Sequence, residues 1–105
     1  MENQYAVQRI IKDIQTDDIQ IQVTGYIKEI NKDDYIILDD KTGIIRVMIK
    51  NIDFSFKVNQ LINVIGEIQL NLNGEKEIIA DIIQDMSNLN FEYYLKLYNL
   101  KKNLL

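Results

Sequence analysis

Arg46, Met48 and Lys50 are the side chains in this sequence best spaced to do chemistry together. They alternate with Ile45, Val47 and Ile49. A strand sends successive side chains to opposite faces. If the three aliphatic residues fill a core, the two cations and the methionine project outward. Tyr26 and Lys28 repeat the arrangement on an earlier segment when Val23 and Ile27 point inward. Tyr35 opens the segment between them, and Phe54 and Lys57 follow in a less regular stretch. Cations interleaved with rings suit an unpaired nucleic-acid strand. The cations meet phosphates, and each base stacked on a ring is worth roughly 1–3 kcal/mol. The same residues also suit an ordinary solvated strand surface, and residue types alone leave both readings open. Phe56 reads as a core plug. Phe54 is either a second plug or an exposed ring at a groove, and Lys57 is a candidate phosphate contact.

Other chemistries are poorly provided for. The 105 residues contain no Cys and no His. Disulfides, thiol nucleophiles, imidazole bases and the usual zinc sites are therefore excluded. Three carboxylate pairs occur, Asp17 with Asp18, Asp33 with Asp34 and Asp39 with Asp40. Their spacing matches no calcium loop, no nucleophile accompanies them, and turn formation explains all three. Glycine-rich phosphate loops and serine-hydrolase elbows are missing. Neither catalysis nor a metal or cofactor is expected. The net charge of −4 gives no long-range pull on nucleic acid, so any phosphate binding must come from a local patch.

One domain is expected, since 47% of the residues are apolar and no proline-rich linker divides the chain. The opening residues lack the basic lead and apolar core of a signal peptide. No apolar run is long enough to cross a bilayer. The expectation is an intracellular protein without a membrane partner, cytoplasmic in a prokaryote and nuclear in a eukaryote.

The elements that position the outward residues follow from periodicity. Residues 1–18 form an arm or lead-in. Tyr5, Val7, Ile10, Ile11 and Ile14 there suit either a helix or a strand. Ile19, Ile21 and Val23 alternate with Gln20, Gln22 and Thr24, which predicts a half-buried strand. Gly25 interrupts it, a position for a bulge or sharp coil in a long strand. Residues 35–50 read as a hairpin whose turn, residues 39–43, takes its positive φ from Gly43. Residues 61–72 form a further strand with Ile62, Val64, Gly66, Ile68, Leu70 and Leu72 on one face. Asn73-Gly74 predicts a type I′ reversal into a return strand, 75–84. There Ile78, Ile79, Ile82 and Ile83 would also fit a helix, but β-branching and the reversal favour a strand. Ser87, Asn88 and Asn90 are candidate caps for a helix from Phe91 to about Asn103. Glu92 at its start and Lys101 and Lys102 at its end suit the helix dipole.

Five strands with a long, bent first strand suit an all-β fold, a five-stranded Greek-key barrel of the OB type with a C-terminal α-helix. The barrel would span 19–86 and the helical segment 87–105. Three stretches sharpen this. I-Q-V-T-G-Y-I (21–27), L-D-D-K-T-G-I-I-R-V (38–47) and F-K-V-N-Q-L-I-N-V-I-G (56–66) resemble the OB domains of replication protein A and of archaeal single-stranded-DNA-binding proteins. The 39–43 turn and Val64-Ile65-Gly66 match well. Asn59 stands where the family has Gly, and Asn tolerates left-handed φ. The resemblance covers about residues 9–86 and implies a noncatalytic single-stranded-DNA-binding subunit in replication or repair. It points to an archaeal-type small or middle subunit of a homo- or hetero-oligomer.

In that family a C-terminal helix assembles the complex. Here Phe91, Tyr94, Leu95, Tyr98 and Leu105 form one apolar stripe, and Tyr93, Leu97, Leu100 and Leu104 form a second. Packing on the barrel needs one stripe. The second predicts docking to other OB-fold subunits. A purely structural OB module and an RNA-binding OB domain remain the alternative readings.

Overall fold

A computed structural model describes residues 6–104. Tyr5 and Leu105, each assigned to an apolar set above, lie outside that range. Six strands and one helix follow in order: β1 Val7–Gln8, β2 Gln20–Asn31, β3 Tyr35–Asp39, β4 Ile44–Met48, β5 Leu61–Leu70, β6 Lys76–Asp85 and α1 Phe91–Leu104. The sheet order is β1-β2-β3-β4-β6-β5, and β5 returns to pair with β2. The five strands β2–β6 therefore close a barrel, with β4 and β6 parallel and the other barrel neighbours antiparallel. This is the OB-fold.

Closure depends on β2 serving two partners. Residues 20–26 pair with β5, and 26–31 pair with β3. The register shift lies between Ile27 and Glu29. Lys28 is thus the bulged residue, while Gly25 marks only the change of partner. Ile21, Val23 and Ile27 are fully buried in the lumen with Ile36, Leu38, Val47, Ile62, Val64 and Ile78. Ile19 does not join them and is 76% exposed. It precedes β2, so the alternation carries it past the end of the lumen.

The arm is part of the core. β1 pairs parallel to β2, and a 3-10 turn follows at Ile11–Asp13. Ile10, Ile11 and Ile14 are buried. The resulting segment is an arm with a short lead-in strand and a single 3-10 turn, not the α-helix that the spacing also allowed. Its anchor is the turn at 39–43. The fully buried Asp40 accepts the Ile11 N–H at 2.7 Å, the Thr42 N–H at 2.9 Å and the Thr42 hydroxyl at 2.6 Å. The positive φ of this turn is at Lys41, 73°, and not at Gly43. Asp39 accepts the Lys41 N–H at 2.8 Å and so stabilises that conformation. Gly43 serves a different need: a Cβ there would stand 3.1 Å from the Ile11 side chain. Asn59 does adopt a left-handed φ of 75°.

The 71–75 reversal exists, but it is not type I′. Only Gly74 has positive φ, and the Gly74 N–H donates to the Asn71 carbonyl. That is a three-residue loop ending in a left-handed Gly. Leu72 sits in this loop, fully exposed, rather than on the inner face of β5. A second shift, opposite Ile65 and Gly66, leaves Asp81 unpaired in β6 and turns Ile82 outward, 51% exposed.

Asn90 caps α1 by accepting the Tyr93 N–H. Phe91 is buried edge-on against Tyr26 at 5.2 Å and stacks with Tyr94 at 5.9 Å. Tyr94 accepts from Gln8, while Tyr98 and Lys102 both donate to Asp13, at 2.9 and 2.8 Å. The helix is thus latched to the arm. The Lys102 hydrogen bond is the main cause that depresses the Asp13 pKa. Partial burial raises that of Tyr98, and Asp13 raises that of Lys102. A depressed carboxylate stabilises above its ordinary range and loses that contribution as pH falls. The two raised groups lose theirs as pH climbs. The latch should therefore hold across neutral pH and release below about pH 4 and above about pH 10. Amide exchange of α1 across this range checks it. An Asp13→Asn variant should lose the acidic release.

Candidate nucleic-acid interface

The outward face of β3, β4 and β6 is a single surface. Its β3 row is Tyr35, Ile37 and Asp39, and its β4 row is Met48, Arg46 and Ile44, pairing in that order. The parallel register then sets Glu77 beside Arg46 and Ile79 beside Met48. The alternation of Ile45, Val47 and Ile49 into the core is as the sequence predicts, all three being buried.

Tyr35, Arg46, Met48 and Lys50 are brought together at one end. The Arg46 guanidinium lies over the Tyr35 ring, 4.3 Å from its centroid, and is 43% exposed. This cation-on-ring pair is of the kind on which an unpaired base can stack. Lys50 extends the patch and ion-pairs with Asp34 at 3.6 Å.

Tyr26 and Lys28 lie at the other end of β3, beside Asp39. Four residue steps along β3 separate the two groups, or roughly 13 Å. Tyr26 is half-buried under Phe91 of α1, with the Lys41 ammonium 5.8 Å from its ring centroid. It anchors the helix, and with Lys41, Asn90, Phe91, Glu92 and Leu95 it lines a second groove, of about 510 Å³, beside α1. Lys28, at the bulge, is exposed and 3.9 Å from Asp39. Phe54 and Phe56 are half-buried against the core, 5.4 Å apart, and Lys57 beside them is exposed. The two rings plug the barrel, and neither joins the β3–β4 face.

A groove of about 430 Å³ crosses this face toward the β5–β6 loop. Its apolar walls come from Ile11 and Ile14 of the arm and from Ile37 and Ile44. Arg46, Asn71, Glu75, Lys76 and Glu77 supply its polar groups. In OB-folds this strand face, flanked by loops, is where oligonucleotides bind. Of the groove residues, the expected set contains only Arg46. Ile37, Asn71, Lys76 and Glu77 were missed: Ile37 faces out by alternation on β3, while the parallel β4–β6 pairing, which strand periodicity does not reveal, brings Lys76, Glu77 and the adjoining loop residue Asn71 to the same face as Arg46. Reading the OB topology onto residues 76–77 would have found them.

The cations of this face are countered. Arg46 stands 3.7 Å from Glu77, and Lys76 donates to the Ile14 carbonyl at 2.8 Å. With Lys28 on Asp39 and Lys50 on Asp34, each has an internal partner. Elsewhere, the second stripe of α1 is uncovered: Tyr93, Leu97, Leu100 and Leu104 are 62, 37, 58 and 77% exposed. The first stripe, from Phe91 through Tyr98, faces the barrel and arm.

No family model matches the chain, and no curated protein matches it. Solved structures do match. In the S. pombe Stn1–Ten1 complex, 96% of one chain aligns with 97% of this one, with a TM-score of 0.76 and 13% identity. The telomere capping protein Ten1 from the same yeast gives 0.73 and 13% identity, over 94% of this chain and 99% of that one. A replication protein A heterotrimer bound to single-stranded DNA gives 0.65 and 15% identity, over 82% of this chain and 72% of that one. Likeness at such low identity establishes a shared architecture: the chain has the same OB-fold as these structures.

Proposed function

We propose that this protein is a noncatalytic OB-fold subunit of a single-stranded-DNA-binding complex, joined to other OB-fold subunits through α1. The observation that carries this reading is the uncovered stripe of Tyr93, Leu97, Leu100 and Leu104 on a helix whose other stripe already packs on its own barrel. Three leucines and a tyrosine in water are a cost that a partner helix removes. The strand is received by the outward face of β3 and β4, with Tyr35, Arg46 and Lys50 as its principal contacts at one end and the groove leading from Arg46 toward the β5–β6 loop. The architectural neighbours are themselves members of complexes, one of them bound to single-stranded DNA.

Fluorescence anisotropy with oligo-dT at low salt tests the binding. Replacing Tyr35, Arg46 and Lys50 together by Ala, Gln and Gln should weaken it at least tenfold, since one stacked base and two cations are lost. An RNA oligomer of matched sequence, run beside it, distinguishes an RNA-binding domain. The countered cations favour one other reading, a structural module with no nucleic-acid contact. If neither the protein nor its purified complex binds either oligomer, that module is what remains.

Assembly is tested separately. Leu100→Asp with Leu104→Asp should abolish association while leaving the barrel's own stability within about 0.5 kcal/mol, because both side chains already face solvent. Light scattering and a thermal melt read the two effects. A monomer before and after substitution would refute the assembly role.

A further inference from the structure

We infer that Glu77 is an internal competitor for Arg46 and limits how strongly this groove holds phosphate. The inference rests on the reading of the β3–β4 face as a single-strand groove. Glu77 faces outward on β6, yet its side chain is only 6% exposed. It accepts from Gln69 at 3.1 Å and from Asn71 at 3.3 Å, and it lies 3.7 Å from the Arg46 guanidinium. It is not free to swing away. Asn71 is itself fixed, since its side-chain oxygen accepts the N–H groups of Asn73 and Glu75 at the loop. The carboxylate is thus held in place by the hairpin and aimed at the one guanidinium that the groove offers.

A buried carboxylate requires a counter-charge, and Arg46 supplies it. A phosphate approaching Arg46 meets a cation already neutralised and a fixed anion close behind it. Its other neighbour, Lys76, is occupied by the Ile14 carbonyl. The guanidinium over Tyr35, by contrast, is 43% exposed and so remains open to a base. The groove therefore favours the flat face of an unpaired base over the phosphate that follows it, and few counterions are released on binding. Glu77 is a positioning residue in this scheme. Its effect is transmitted through Arg46.

The test is oligo-dT anisotropy on the full chain, wild type against Glu77→Gln, across a salt series. Glutamine is nearly isosteric, and Glu77→Met is the second variant should the first fail its thermal melt. Removing the competing charge should tighten binding about five- to tenfold at low salt. It should also steepen the log–log salt slope by about 0.7, the increment of one further phosphate contact on a single strand. The gain should shrink when Glu77→Gln is made in an Arg46→Gln background, because the freed partner is then missing. A wild type that binds, with a Glu77 variant that binds equally or less well, overturns the inference and leaves the groove reading intact. An equal gain in both backgrounds also overturns it. If neither protein binds at any salt, the groove reading itself falls and this inference falls with it.

Discussion

Gly66→Ala should destabilise the barrel by about 3 kcal/mol or more, the upper range for forcing atoms into a packed site. A Cβ at this position would lie 2.1 Å from the Ile79 carbonyl oxygen and 2.8 Å from its carbon. Both are backbone atoms of the paired strand, so no rotamer change relieves the clash. β5 and β6 must separate at the register shift that faces Gly66. For a chain of this size the melting temperature should fall by at least about 12 °C. Urea denaturation monitored by far-UV circular dichroism reads the loss directly. An alanine variant as stable as the wild type would show that β6 can retreat, and that Gly66 is not what sets the strand spacing there.

Asp40→Ala should cost about 3 kcal/mol. Three donors lose their acceptor at once: the Ile11 N–H and both donors of Thr42. Leaving a buried donor unpaired costs roughly 1–3 kcal/mol, and the Ile11 amide is buried. Asp40→Asn should recover only part of this, because its NH₂ group points a donor at donors. The local signature is specific. Amide exchange at Ile11 should accelerate more than exchange at Val64, which lies in β5 on another side of the barrel. Uniform acceleration would mean that Asp40 supports the barrel as a whole and does not hold the arm in particular.

These two positions also show what was legible from residues alone. Strict alternation identified β2, β4 and β5 and placed Ile45, Val47 and Ile49 inward, because one buried face imposes period two on the chain. The reversal at Asn73-Gly74 was equally plain, although its type was not. Turn type depends on side-chain hydrogen bonds, and the same is true at 39–43. There the acceptors on Asp39 and Asp40 settle which residue turns left-handed, and it is Lys41. The bulges at Lys28 and Asp81 were not legible, since they arise from closing a twisted sheet on itself. They matter for which side chains face out: the shift at Lys28 sets Glu29 opposite Ile37, so that Lys28 and Glu29 are both exposed. The arm could not be resolved either. Ile10, Ile11 and Ile14 fit several local structures, and only the buried Asp40, distant in sequence, selects one. Tyr26 and Phe54 carry the right chemistry for stacking, but their packing partners, Phe91 of α1 for one and the barrel core for the other, lie too far along the chain to be read from local pattern.

The latch between arm and helix has a consequence for how the molecule is made. Gln8 bonds to Tyr94, and Asp13 bonds to Tyr98 and Lys102, across separations of 86, 85 and 89 residues. Contacts between such distant residues form late, because a long loop must close before they are rewarded. The arm, an early product of translation, therefore waits for α1, a late one, before its outer side is covered. Until then Asp13 is uncompensated and the ring of Tyr26 lacks Phe91. The surface that α1 covers is thus one that a nascent chain leaves bare until the helix has been made.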